Sequence, residues 1–93
     1  MENEKNNREL FVRGNVIAWT ADATRGSDKY LAVFNIGDDA DSAPVTVSLK
    51  EIGLNGKGRV RDLWKNENLG VVQHELQTTV PRHGAKLFRL VIL

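Results

Sequence analysis

Lys29-Tyr30-Leu31-Ala32-Val33-Phe34-Asn35-Ile36 is an apolar run of strand length, closed on either side by residues that favour turns. Side chains alternate across a strand, so Tyr30, Ala32, Phe34 and Ile36 fall on one face and Leu31, Val33 and Asn35 on the other. Both sets are largely apolar. That pattern predicts a central strand covered on both faces.

The segments around it repeat the theme. Asn15 to Ala23 forms a strand before it, with Leu10 to Val12 a short lead-in, and Thr24 to Asp28 turns the chain into a hairpin. After the loop Gly37 to Ser42, Val45, Val47 and Leu49 alternate with Thr46 and Ser48, a strand with one dry face and one wet one. Pro44 suits its first position, because proline has no N–H for a ladder interior. Lys50 to Gly56 is too short for a stable helix and reads as a connection. A single helical turn ending near Gly53 would let Ile52 and Leu54 close an open end of the core. Gly58 to Trp64 alternates again, placing Val60, Asp62 and Trp64 opposite Arg59, Arg61 and Leu63, and Lys65 to Asn68 turns. Leu69 to Gln73, Glu75 to Val80 and Ala85 to Leu93 supply the last strands, with a turn at Pro81 to Gly84. Residues 1–9 hold almost no large apolar side chain and read as an unordered tail or linker, leaving 10–93 as one domain. The expectation is an all-β, antiparallel two-sheet β-sandwich of seven or eight strands with Greek-key or meander connections.

Composition narrows function. The 93 residues suffice for one core. Thirteen basic and twelve acidic residues leave a net charge of +1, too little field to recruit nucleic acid or an anionic membrane. Absence of cysteine removes disulfides and thiolate metal sites. No stretch approaches the roughly 20 apolar residues of a membrane helix, and the first nine residues lack the apolar centre of an export signal, so a soluble chain without either is expected.

Four blocks carry a resemblance: Tyr30-Leu31-Ala32-Val33-Phe34-Asn35-Ile36-Gly37-Asp38; Val45-Thr46-Val47-Ser48-Leu49 with Ile52-Gly53-Leu54; Arg59-Val60-Arg61-Asp62-Leu63-Trp64; and Val80-Pro81-Arg82-His83-Gly84-Ala85. In this order they resemble the C-terminal β-sandwich of the α-galactosidases of glycoside hydrolase family 27, over residues 16–91. Arg82 stands where that family often has a second proline or a small residue, and the loop Asp38-Asp39-Ala40-Asp41 is more acidic than the family pattern. The resemblance implies a non-catalytic accessory domain packed beside a (β/α)₈ barrel that holds the sugar site and both catalytic aspartates. No catalytic or galactose-binding position carries over, because those motifs lie outside this sequence. Nothing in the chain assigns a compartment; the resemblance implies a periplasmic or secreted parent.

Candidate chemistry is sparse. Asp38, Asp39 and Asp41 lack the glycine and downstream bidentate glutamate of a calcium loop, and a solvated turn accounts for them better. His74 and His83 have no partners at metal-ligand spacing, and no nucleophilic triad stands out, so no metal, cofactor or catalytic residue is expected. Asp62, among apolar neighbours, is expected to accept backbone N–H or arginine bonds in a packing role. Trp19, Tyr30 and Trp64 are the candidates for stacking on a sugar ring, which would make a carbohydrate-binding module, although their positions in strands favour the core. Arg59, Arg61, Lys65, Arg82, Lys86 and Arg89 read as a solvated face. The last strand has more apolar surface than one core needs, so Phe88 and Leu90, together with Ile17 on the strand Val16 to Thr20, are expected to dock on the catalytic barrel. An unrelated protein-interaction sandwich is the remaining alternative.

Overall fold

The computed structural model describes residues 4–24, 26, 28–38 and 42–93. Eight strands and one helical turn follow in order: β1 (Glu4–Arg13), β2 (Val16–Ala23), β3 (Lys29–Asn35), β4 (Ser42–Ser48), α1 (Leu49–Ile52), β5 (Gly58–Asp62), β6 (Glu67–Val72), β7 (Glu75–Pro81) and β8 (Ala85–Ile92). Six form one sheet in the order β1-β2-β3-β8-β5-β6, and β4 and β7 form a second sheet of two strands. All pairings are antiparallel. The expected sandwich is present, in an unequal six-plus-two form.

The two sheets share one core. The six-stranded sheet contributes Val16, Ala18, Leu31, Val33, Val60, Phe88 and Leu90; the ribbon contributes Val45, Val47, Leu76 and Val80. Leu49, Ile52 and Leu54 close one end. That closure depends on α1. Ser48 Oγ accepts from the Lys50 N–H at 3.3 Å while Glu51 Oε2 accepts from the Ser48 N–H at 2.9 Å, a capping box that lets a four-residue turn exist at all. Gly53 then takes a left-handed φ of 94° and the Leu54 N–H bonds the Leu49 carbonyl, which turns Ile52 and Leu54 inward.

Asn35 ties the layers together. It is buried, its Nδ2 donates across the core to the Val80 carbonyl at 3.0 Å, and its Oδ1 accepts from the Gly37 N–H at 2.9 Å. Gly37 in turn lies against the Asn15 side chain, where an added Cβ would come within 2.6 Å of Nδ2.

Three expectations need correction. Residues 4–9 belong to β1 rather than to an unordered tail, paired with β2 from Glu4 opposite Ala23 to Arg13 opposite Val16. The turn between them is Gly14-Asn15, with Gly14 at φ 59°. Leu10 and Phe11 pack against the core, and ladder bonds and arginines add to this hold on the strand: Arg8 donates to the Glu51 carbonyl at 3.2 Å, and Arg13 donates to the Thr46 carbonyl at 3.2 Å and to Glu51 Oε1 at 2.5 Å. Second, β3 is central, between β2 and β8, but it is covered on one face only. The ribbon has two strands and sits on one side, so Phe34 remains 37% exposed on the other. Third, Pro44 sits inside β4, tolerated because β4 pairs on one side only.

Replacing Asn35 by alanine leaves the Val80 carbonyl and the Gly37 N–H buried without partners. Urea unfolding of Asn35→Ala should show a loss of about 2 to 3 kcal/mol, with near-neutral loss refuting the cross-sheet role.

Candidate docking face

The face of the six-stranded sheet turned away from the ribbon is built in rows by strand register. Val12, Ile17, Phe34 and Ala85 lie opposite one another across β1, β2, β3 and β8. The next row holds Glu9, Trp19, Ala32 and Leu87, and the third holds Ala21, Tyr30, Arg89, Arg61 and Asn68. Val91, Arg59 and Val71 make the last. The first two rows are apolar apart from Glu9 at the edge. Trp19 is 40% exposed, and Val12 and Phe34 are exposed beside it. A contiguous exposed apolar patch of this kind is what makes this face the candidate docking surface.

The third row is fixed by charge. Arg89 donates from Nε (2.9 Å) and Nη2 (2.6 Å) to Asp28 Oδ2, and its guanidinium stands 5.6 Å from the centre of the Tyr30 ring. The hydrogen bond to Asp28 raises the Arg89 pKa above its ordinary value in spite of partial burial. Arg61 donates to the Asn66 side chain.

Several expected site residues fall elsewhere. Phe88 and Leu90 are 0% exposed and belong to the core, so neither can dock on a partner. They alternate with the outward residues of β8, and the excess apolar surface of that strand is carried by Ala85, Leu87 and Val91 instead. Ile17 does lie on the outer face, half-buried between Val12 and Phe34. Trp19 and Trp64 are not core residues as their strand positions suggested: Trp19 faces outward, and Trp64, 61% exposed, stands on the turn after β5. The causes differ: Trp19 lies on the sheet face turned away from the second sheet, whereas β5 ends at Asp62 and leaves Trp64 on the turn beyond it. Tyr30 is half-buried under Arg89. The register sets Trp19 and Tyr30 as diagonal neighbours on one face, with Trp64 apart from them.

Asp62 is buried as its neighbours implied. Its Oδ1 accepts from the N–H groups of Trp64 and Lys65, each at 3.0 Å, and so shapes the turn that presents Trp64. Asp39 and Asp41 lie outside the described residues. Asp38 pairs with His83 at 2.5 Å on the surface, and His74 is exposed. Among the described residues no three His, Cys, Asp or Glu side chains group as metal ligands. The cleft lined by Leu49, Leu54, Asn55, Lys57, His74 and Glu75 holds a single carboxylate, where glycoside hydrolysis takes two. Arg13 over the Phe11 ring and the buried Asn35 escaped the sequence reading, as did the capping box, although Ser48-x-x-Glu51 was its available signal.

The model of the alpha galactosidase C-terminal beta sandwich domain matches residues 13–90. The chain belongs to this family. Among solved structures, the β-L-arabinopyranosidase of glycoside hydrolase family 27 from Geobacillus stearothermophilus is 32% identical, with a TM-score of 0.87 over 95% of this chain and 20% of that one. A variant of the same enzyme in complex with arabinose gives a TM-score of 0.90 at 31% identity, covering 98% of this chain and 20% of that one. Alpha-galactosidase I from Mortierella vinacea, at 22% identity, shares the fold with a TM-score of 0.82 over 92% of this chain and 23% of its own. Comparison with curated proteins gives no match. This α-galactosidase C-terminal domain thus spans about a fifth of the length of the arabinopyranosidase.

Asp62→Ala in the isolated domain should lower stability by about 1 to 3 kcal/mol through the two unpaired N–H groups. It should also shift Trp64 fluorescence. An unchanged melting temperature would show that the turn holds without the carboxylate.

Proposed function

We propose that this domain is a non-catalytic structural module that docks, through the outer face of its six-stranded sheet, on the (β/α)₈ catalytic barrel of a family 27 glycoside hydrolase. One observation carries the reading: Val12, Ile17, Trp19, Phe34 and Leu87 form a continuous apolar face left uncovered by the domain's own second sheet. Its mixture of aromatics with arginine at one side is the composition of an interface centre. The length relation supports it, since the related arabinopyranosidase is about five times longer and carries this fold as one part. Docking buries the patch, stabilises the barrel and shapes the approach to its sugar site. The parent then cleaves a galactoside or an arabinopyranoside, after the activities of the similar enzymes.

The exposed Trp19 and Trp64 keep a second reading in play, a carbohydrate-binding module in which an indole stacks on a sugar ring. The two readings separate in one experiment. The Geobacillus barrel, produced without its own C-terminal domain, is mixed with this chain and followed by size-exclusion chromatography and thermal melting. Docking predicts a complex and a higher barrel melting temperature, both lost in the double variant Trp19→Glu/Phe34→Glu with its circular dichroism unchanged. Absence of a complex, together with tryptophan quenching by galacto-oligosaccharides, would replace docking with sugar binding.

A further inference from the structure

We propose that Arg59 and Arg61, beside Arg89 at the β5 side of the outer face, form a recognition site for carboxylates of an acidic protein segment. The three guanidinium groups share one face: Arg59 and Arg61 are alternate residues of β5, and Arg61 lies directly opposite Arg89 on β8. Like charges directly opposite on neighbouring strands repel. Among the described residues one carboxylate answers them, Asp28, and it is taken up by Arg89. Arg61, among the described residues, is tied only to the neutral Asn66, which holds its guanidinium in place without compensating its charge.

The groups beside this cluster on the outer face are uncharged. Val71 and Val91 flank Arg59, and Asn68 lies opposite Arg61. Asp62, the nearest carboxylate in sequence, points into the core and caps the following turn. Among the described residues these two arginines have no ion-pair partner, and they stand at the rim of an apolar patch with Arg61 held by Asn66. Guanidinium groups in that setting take carboxylates through paired N–H donors. On the docking reading, the surface of the barrel that meets β5 carries aspartate or glutamate opposite Arg59 and Arg61. The inference rests on that reading for the identity of the partner, whereas the carboxylate chemistry stands on this chain alone.

The test uses the full chain and a short glutamate peptide as probe, followed by NMR of the backbone amides and the arginine Nε–H groups. Shifts should centre on β5, β6 and β8. The variant Arg59→Gln/Arg61→Gln should weaken binding about tenfold and flatten its dependence on salt, while Arg82→Gln, at the opposite end of the sheet, should leave it unchanged. No binding, equal binding by the double variant, or shifts spread over all basic residues would overturn the site. Because no barrel takes part, any of these results leaves the apolar docking reading standing, and a failure to dock leaves this measurement intact.

Discussion

The fold depends on β8 being inserted between β3 and β5. Neither neighbour pairs with the other, so the six-stranded sheet is two separate pieces, β1-β2-β3 and β5-β6, until the last strand joins them. Phe88 and Leu90 are the reason the insertion is stable. Phe88 lies opposite Leu31 on one side and Asp62 on the other, and neither Phe88 nor Leu90 retains any contact with solvent. Such pairing joins residues far apart in sequence, a topology that slows folding as a whole.

From that constraint follows the asymmetry on which function rests. One face of the sheet is spent on the ribbon and on α1, and the opposite face, equally apolar in two of its rows, has no covering layer within the chain. A free-standing sandwich would carry polar side chains there. Val12, Trp19 and Phe34 stand exposed in those positions, which is the pattern the proposed docking of this face would explain. The charged rows beyond Tyr30 then set a polar margin at one side of the patch.

Much of this was legible in the sequence. Period-two alternation located β3, β5, β7 and β8 to within a residue or two, the surroundings of Asp62 foretold its backbone partners, and Gly53 marked the end of α1. Alternation cannot say which face a second layer covers, and for that reason it assigned both faces of β3 to the interior and sent Trp19 inward; Trp64 was placed by extending β5, which ends at Asp62. On β8 it separated Phe88 and Leu90 from Leu87 and Val91 but not which set would be covered. The polar start of the chain misled for a different reason. Composition measures what a segment can bury, and residues 4–9 are held by what they can bond, through the ladder to β2 and Arg8 on the Glu51 carbonyl, continuous with Leu10 and Phe11 packed on the core.

That attachment of β1 bears on mechanics. Arg8 and Arg13 reach from the edge of one sheet to α1 at the end of the core, and Glu51 answers both while also capping its own helical turn. Load carried along β1 from Arg8 onward therefore has two routes into the domain, the ladder to β2 and the side-chain ties to the helical turn that seats Ile52 and Leu54.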